Sequence, residues 1–453
     1  MRLLVADEEG RISVDEELAC AGRTGDILVE VQPADVIPMP PGATLMFLPG
    51  REAIGVDVRS GEFTMAGHGL NAVSAILPQG YTRTLLPAYT TCGPWAGGRY
   101  ARGRYARGGR VAHASGGHTG GVRHQILPLF GYTMVGMGDD GLVVAAVQTD
   151  EDFKWSPDNY NTGDLPDRVA AVLEELPGNR ILRQLSKCAL EYGCFTAQNI
   201  FYRRWEGGIP VAEACNARCL GCISIQPSEC CPAPQERIRF TPSVAEIVEV
   251  ALPHLEEAED AIISFGQGCE GEPLTRSELL VEAVRSLRQA TGRGTININT
   301  NAGDTRGFKA LCEAGLDSAR VSLISARPEM YDSYHRPHGY SLEDVIASLK
   351  IAKGYGVFTS VNLLAFPGVT DREKDIEALA GLIGATGLDM IQLRNLNIDP
   401  DFFIEVVRRS GAGASGEGEV IGGEAIGMVN FIEALKSSFP SLEIGSYSRP
   451  VRP

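Results

Sequence analysis

The sequence predicts an α/β fold in which a β-rich N-terminal region precedes a run of parallel βα units. Three observations support this class. From about Trp205 onward, six short apolar segments alternate with segments of helical period. Four of the helical segments begin with a hydroxyl residue three positions before a carboxylate, which is typical of a helix start. The first 60 residues instead hold short apolar runs separated by Pro and Gly turns, which indicates β-structure.

We predict four segments in chain order. The first contains strand candidates at 26–32 and 43–48 and a Gly/Arg-rich loop at about 96–123. The second carries a buried strand and two helices, and the third carries the βα units. The segments are a β-rich N-terminal domain at 1–140, an α/β connecting segment at 141–204, the βα units at 205–400, and a C-terminal helix, linker and helix/strand extension at 401–453.

The Gly/Arg-rich loop has an unusual composition. Residues 63–138 contain no Asp, Glu or Lys but seven Arg, and residues 98–109 repeat an Arg-Tyr-Ala-Arg pattern between glycines. So much glycine does not build a packed core, which favours a solvated loop. Arg interleaved with Tyr can also hold phosphates and stack on bases, so an RNA substrate is an alternative hypothesis.

Composition narrows the classes of function. The chain has 453 residues and a formal net charge of −16, which argues against a general nucleic-acid or anionic-membrane surface. No signal peptide is recognisable at the N-terminus, and no run reaches the ~18 apolar residues of a membrane span. Eleven cysteines in such a chain indicate a reducing compartment. We therefore expect a cytoplasmic protein that does not bind a membrane.

The βα units can be placed individually. Their strand candidates lie at 208–214, 261–265, 295–300, 318–323, 359–364 and 390–396. Six strands are fewer than the eight of a closed barrel. The helix-start pairs are Ser243 with Glu246, Thr275 with Glu278, Ser341 with Asp344, and Thr370 with Glu373.

Three cysteines, Cys215, Cys219 and Cys222, follow the first of these strands. Thiolates three and two residues apart on a short loop can converge on an iron–sulfur cluster or on zinc. Three protein ligands leave one metal position open, which is where metal chemistry on a substrate can occur. The alternative is a non-catalytic zinc or iron–sulfur scaffold, with Cys230, Cys231 or Cys269 as a fourth ligand.

This CxxxCxxC spacing resembles the signature of the radical S-adenosylmethionine (radical SAM) enzymes. The resemblance implies a partial (β/α)6 TIM-like barrel, a [4Fe-4S] cluster on the three cysteines, and SAM bound to the fourth iron. It also implies an oxygen-sensitive enzyme in which reductive cleavage of SAM generates a 5′-deoxyadenosyl radical that abstracts hydrogen from a small-molecule or peptide substrate. A reductant such as flavodoxin or ferredoxin would supply the electron. The family commonly has an aromatic residue where this chain has Gly221.

The second strand ends in Gly271-Glu272-Pro273, which is similar to the family's Gly-Gly-Glu-Pro motif with Glu270 in place of the first glycine. The resemblance implies that this segment binds the SAM amino group. The ends of later strands are polar in the same register, and active sites of such barrels lie at these ends. The resemblance therefore extends SAM binding to Ser322, Ser325, Arg327 and Asn362, and Arg394 could hold a carboxylate of SAM or substrate.

Overall fold

The computed structural model describes residues 1–91, 103–104, 110–113, 126–151, 153–225, 233–411 and 424–453. They form two compact units, each assembled from several stretches of the chain. The bounds of these units differ from the predicted segments, because which distant stretches pack together is not encoded in local pattern. Unit 1 comprises Met1–Asp150, Leu364–Ala378 and Leu393–Pro440, and unit 2 comprises Glu151–Leu363, Leu379–Gln392 and Ser441–Pro453.

Unit 1 is built mainly from antiparallel strands. Thirteen of the described strands join one sheet, and β8 pairs separately with β15. The strands are β1 Arg2–Ala6, β2 Ile12–Thr24, β3 Ile27–Glu30, β4 Ile37–Pro38, β5 Thr44–Asp57, β6 Phe63–Met65, β7 Asn71–Ile76, β8 Tyr81–Arg83, β9 Leu86–Pro87, β10 Tyr89–Thr91, β11 Gly103–Arg104, β12 Arg110–His113, β13 Tyr132–Gly138, β14 Gly141–Val144 and β15 Ala146–Gln148.

The sheet of unit 1 is buried on both faces at β1. Along β1, Leu3 and Val5 pack into one apolar cluster while Leu4 and Ala6 pack into another. Alternate residues of a strand point to opposite faces, so an unbroken apolar run indicates burial on both sides.

Unit 2 contains most of a parallel sheet. Its strands are hydrogen-bonded in chain order, and five of them correspond to predicted strands. A seventh, at the C-terminal end, pairs in parallel with the sixth. The sequence predicts a strand in this extension, at 442–444, but not that it belongs to the sheet. They are β16 Arg204–Gly208, β17 Glu259–Phe265, β18 Thr295–Thr300, β19 Ser318–Leu323, β20 Phe358–Ala365, β21 Met390–Asn395 and β22 Glu443–Gly445.

Helices connect these parallel strands, as the predicted βα alternation requires. In α5 the buried side chains recur at Leu280, Val284 and Leu287, which is the period of one helical face. The helices are α1 Leu165–Glu175, α2 Arg180–Leu190, α3 Phe195–Tyr202, α4 Val244–Glu257, α5 Ser277–Ala290, α6 Thr305–Ala314, α7 Pro328–His335, α8 Leu342–Gly354, α9 Glu373–Thr386, α10 Pro400–Gly411 and α11 Met428–Ser438.

The first predicted strand, 208–214, is wrong in its placement. The strand β16 ends at Gly208, where the prediction begins. Beyond it, the amides of Val211 and Ala212 donate to the Glu270 carboxylate rather than to a neighbouring strand. The Glu270 side chain therefore takes the place of the backbone hydrogen bonds that a neighbouring strand would make. The pattern of apolar residues is the same in both cases, so it does not reveal this difference.

Two of the four predicted helix-start pairs are confirmed. Ser243 with Glu246 and Ser341 with Asp344 form reciprocal capping boxes. The other two pairs are wrong. Thr275 donates instead to the Glu272 carbonyl, and the Thr370 hydroxyl accepts from the amide of Phe366.

Parts of the predicted layout lie outside the described residues. Apart from β11 and β12, the Gly/Arg-rich loop is among them, as is the Gly-rich linker at 412–423 and the pair Cys230 and Cys231. The RNA hypothesis therefore stays a prediction. In the part of the chain that is described, no helix is both long and apolar enough to cross a membrane.

Candidate metal and cofactor site

The three cysteines lie on the segment 209–225, here called the cysteine loop, which begins where β16 ends. Ile209 continues the sheet for one bond, its amide donating to the Ser264 carbonyl at 3.0 Å. Ile209, Val211 and Ala212 are fully buried and anchor the start of the loop. Cys215, Cys219 and Cys222 are all half-buried, and none of them forms a disulfide. The loop thus carries its thiols at the carboxyl end of the first parallel strand, where such folds hold their active sites.

A second segment, Tyr334 to His338, holds the cysteine loop through backbone hydrogen bonds. The amide of Arg218 donates to the His335 carbonyl at 3.0 Å, and that of Leu220 donates to the Tyr334 carbonyl at 3.0 Å. The amide of His338 returns a bond of 2.8 Å to the Asn216 carbonyl. These bonds fix the backbone on both sides of Cys219.

The predicted Gly271-Glu272-Pro273 segment lies directly against the same loop. The amide of Gly271 donates to the Ala212 carbonyl at 2.6 Å, and the amide of Glu272 donates to the Ala214 carbonyl at 2.8 Å. A Cβ at position 271 would lie 1.9 Å from the Ala214 carbonyl oxygen, so only glycine allows this approach. The structure therefore brings two sequence-distant motifs together through their backbones.

Glu270, which replaces the family's first glycine, has a local structural role. Its carboxylate is buried and accepts from four amides, those of Val211, Ala212, Gly266 and Gln267, at 2.6–3.0 Å. Burial raises the pKa of Glu270 to about 7 despite these bonds. The side chain joins the cysteine loop to the end of β17 and has no capacity left for a ligand.

Glu272 is buried two residues further along. It accepts from the amide of Asn301 at 2.8 Å, from the amide of Leu274 at 3.1 Å, and from the Thr300 hydroxyl. Burial raises the pKa of Glu272 to about 7. A cationic group next to this carboxylate would favour its charged form, which makes Glu272 a suitable partner for an ammonium group.

The thiols influence one another electrostatically. Burial, reinforced by Glu272 and Cys222, raises the pKa of Cys215 to about 11. Burial and then the neighbouring Cys215 and Cys222 raise the pKa of Cys219 well above its usual range. Three thiolates therefore need a compensating positive charge here, which bound metal supplies. The donor set on this loop fits a metal centre.

A single metal ion and a cluster of several irons require different distances between the thiolates that bind them. Within the described ranges, no three His, Cys, Asp or Glu side chains are grouped so that they could hold one metal ion. A zinc ion with Zn–S bonds of about 2.3 Å would bring its thiolates to within about 4 Å of each other. A cluster of several irons joins thiolates that are farther apart. Cys269, one proposed fourth ligand, instead contacts Cys188.

The other predicted site residues occupy different environments. Ser322 and Asn362 are register partners on neighbouring strands, and Asn362 Oδ1 is buried without a hydrogen-bond partner among the described residues. The Ser325 hydroxyl accepts from the Arg327 amide at 3.1 Å, and the Arg327 side chain pairs with Glu329. Arg394 is the penultimate residue of β21 and belongs to unit 1. Binding of SAM by these five residues stays a prediction.

Two side chains that approach the thiols were not predicted. Arg237 Nη2 lies 3.6 Å from the Cys222 sulfur, and His335 Nδ1 lies 3.4 Å from the Cys219 sulfur. Arg237 follows Cys222 by 15 residues and carries no recognisable motif. His335 belongs to an aromatic and His run, Tyr331 to His338, and its place after the fourth parallel strand was the one available signal.

Comparison with known proteins was consistent with this geometry. Residues 209–380 match the family model described as the radical SAM superfamily. Curated relatives named GTP 3′,8-cyclase from Limosilactobacillus fermentum and Streptomyces coelicolor are 29% and 28% identical over 172 and 169 residues. These alignments cover 36% of this chain and 47% and 46% of the relatives, so the chain spans about half the length of the curated relatives it matches.

Solved structures give a weaker likeness. Methylornithine synthase is 17% identical, with 61% of this chain and 78% of that chain covered at a TM-score of 0.35. Streptococcus suis SuiB bound to S-adenosylmethionine is 13% identical, with 72% and 73% covered at a TM-score of 0.35. TM-scores of this size carry no argument about function.

Proposed function

We propose, from the premise that residues 209–380 are a radical SAM domain, that this chain is an enzyme that binds a [4Fe-4S] cluster on Cys215, Cys219 and Cys222. The family uses such a cluster together with SAM. The observation that supports the proposal most directly is the pair of backbone bonds between the cysteine loop and Gly271-Glu272. They hold three thiols and a buried carboxylate at one strand end.

When bound, the cluster and SAM supply a 5′-deoxyadenosyl radical that takes a hydrogen atom from the substrate. The protein contributes ligands, orientation and the exclusion of water. Glu272 is oriented by Thr300 and Asn301 and would accept a hydrogen bond from the SAM ammonium group. Gly271 keeps the backbone beside this carboxylate free of side-chain bulk.

The substrate is proposed to be a small polar molecule. Polar side chains from adjacent parallel strands form a connected buried network, in which Ser264 donates to Glu206 at 2.7 Å and Ser318 donates to Asn297 at 2.6 Å. Arg320 adds bonds of 3.1 Å to Gln392 and Ser448. Because these strands present polar side chains, we propose a substrate with several hydrogen-bonding groups rather than an apolar one. GTP, which the names of the relatives mention, is the first candidate to assay.

The test is anaerobic reconstitution with iron and sulfide, followed by reduction with dithionite in the presence of SAM. We expect about four irons per chain and release of 5′-deoxyadenosine. Cys219→Ala should abolish both, whereas Cys312→Ala, which removes a buried thiol of α6, should retain both. Stoichiometric zinc without iron or sulfide would support the scaffold alternative. A cluster without SAM cleavage would contradict the catalytic part.

A further inference from the structure

Two nitrogen donors approach two different thiols of the cysteine loop. The Arg237 guanidinium lies 3.6 Å from the Cys222 sulfur, and the His335 imidazole lies 3.4 Å from the Cys219 sulfur. Both distances are within the range of hydrogen bonds to sulfur. A metal-bound thiolate carries no proton, so in the loaded protein each nitrogen must donate and each sulfur must accept.

Arg237 is held in place independently of the thiol. Its Nε donates to the Ser224 hydroxyl at 3.0 Å, and that hydroxyl donates to the Glu270 carbonyl at 3.3 Å. The guanidinium is planar and always charged, so one nitrogen can bond Ser224 while another faces Cys222. The positive charge of Arg237 also lowers the pKa of Cys215, against the larger effect of burial.

His335 is held more tightly. It is 1% exposed, and its ring packs against Tyr331 and Tyr334 with centroid distances of 4.4 and 5.0 Å. Nε2 is buried and has no hydrogen-bond partner among the described residues. An orphaned buried N–H is rarer than an orphaned acceptor, so the single proton of a neutral imidazole belongs on Nδ1, facing the sulfur.

We propose that Arg237 and His335 set the reduction potential of the metal centre by donating hydrogen bonds to Cys222 and Cys219. This inference rests on the proposed function, because it requires a cluster on the three cysteines. Both residues act through the cysteines and are therefore positioning residues. Hydrogen bonds to the sulfurs and nearby charge are among the means by which proteins tune such potentials.

Whether the two donors raise or lower the reduction potential follows from the charge of the cluster site. Reduction adds one electron to a centre that three thiolates already make negative. A nearby cation and two N–H donors stabilise the added charge, so they raise the reduction potential and make the cluster easier to reduce. Removing either donor should lower the potential. Arg237 should have the larger effect, because it contributes a full charge as well as a bond.

The experiment is a potentiometric titration of the reconstituted cluster without SAM, followed by the electron paramagnetic resonance signal of the reduced state. For Arg237→Met we expect the reduced-to-oxidised ratio at the wild-type midpoint to fall about tenfold, which equals 59 mV for a one-electron couple. Arg237→Lys, which keeps the charge, should recover part of the loss. The matched control is Arg239→Met, because Arg239 is exposed on the same segment, two residues away.

His335 has its own pair of variants. His335→Leu removes the donor and should lower the ratio about threefold, while His335→Gln restores an N–H and should recover part of it. Because His335 is buried, iron content is measured first, and Arg237→Met still tests the inference if His335→Leu does not fold. A merely structural role would change iron content or stability without moving the midpoint of the cluster that remains.

Three outcomes overturn distinct claims. If Arg237→Met and His335→Leu both keep the wild-type midpoint, the inference is wrong although the cluster is real. If Arg239→Met lowers the midpoint as much as Arg237→Met, overall charge rather than contact with the thiol sets the potential, and the inference is again wrong. If the wild-type protein forms no cluster, the proposed function itself fails.

Discussion

Buried charge is handled differently in unit 1 and at the cysteine loop of unit 2. In unit 1, Arg51 Nη2 pairs with Asp399 at 2.8 Å, and both side chains are at most 3% exposed. Arg23 pairs with Asp401 at 2.8 Å, and Asp401 raises the pKa of Arg23 against the larger effect of burial. These charges meet opposite charges within the protein, which is the arrangement of a structural ion pair.

At the cysteine loop the buried carboxyl groups accept hydrogen bonds from amides and a hydroxyl, and the half-buried thiols lie near other acidic groups. Glu270 and Glu272 both have a pKa raised to about 7 by burial, and the thiols of Cys215 and Cys219 are shifted upward as well. Burial thus disfavours the charged forms of these carboxyls and thiols. A bound cation would stabilise those charged forms. Perturbed acids clustered at a strand end indicate a functional site, whereas compensated pairs indicate a structural one.

The largest effect on stability should come from breaking the buried ion pair between Arg51 and Asp399. Arg51→Met leaves Asp399 buried without its cation, which should cost about 3–5 kcal/mol of unfolding free energy. Urea denaturation of the apo-protein measures this. Arg11→Met, which removes an exposed partner of Asp7, is the control and should change little. Equal effects of the two variants would show that the buried pair in unit 1 has no special structural importance.

Gly271→Ala should mainly affect the functional region. The new Cβ would meet the Ala214 carbonyl oxygen at 1.9 Å and force the cysteine loop away, at a cost of about 1–3 kcal/mol. Iron and sulfide bound after reconstitution should fall more than the stability of the apo-protein does. Gly292→Ala, where a Cβ would meet open space, serves as the control. Full cluster loading in Gly271→Ala would contradict the close approach of the two motifs.

The raised pKa of Glu272 predicts that the stability of the folded protein depends on pH. The pKa of Glu272 is about 7 in the folded apo-protein, against 4.5 for an unperturbed glutamate, so the folded state binds the proton more tightly. Stability should therefore fall as the pH rises from about 4.5 to 7, by up to about 3 kcal/mol for this group. Glu272→Gln should flatten that slope, measured as the difference from wild type in urea denaturation at several pH values. An unchanged slope would show that Glu272 is compensated in solution.

The smallest effect is expected from deleting residues 98–109. This stretch lies in the sequence range of unit 1, away in sequence from the cysteine loop, so SAM cleavage without substrate should be unchanged. The RNA hypothesis instead requires weaker RNA binding that depends on salt. A salt titration of RNA affinity for both forms measures this, and an unaffected affinity removes that hypothesis.

Much of the parallel sheet was predictable because its signals are local. The strands at 295–300 and 318–323 were placed correctly from apolar runs between helices. The capping boxes at Ser243 and Ser341 were also found, since four consecutive residues suffice to define each of them. The seventh strand β22 was missed as a member of the sheet, because pairing with β21 depends on contacts across about 50 residues.

The sequence alone determined the thiol set, the Gly271-Glu272-Pro273 segment and their position after the first two parallel strands, because spacing and strand order are properties of the chain. Only the tertiary structure decided that Glu270 binds four amides, that Arg237 and His335 face the thiols, and that residues 393–440 pack with N-terminal strands. These features arise from contacts between residues far apart in sequence. Such contacts form only when the backbone has folded, and they leave no periodic pattern in the chain.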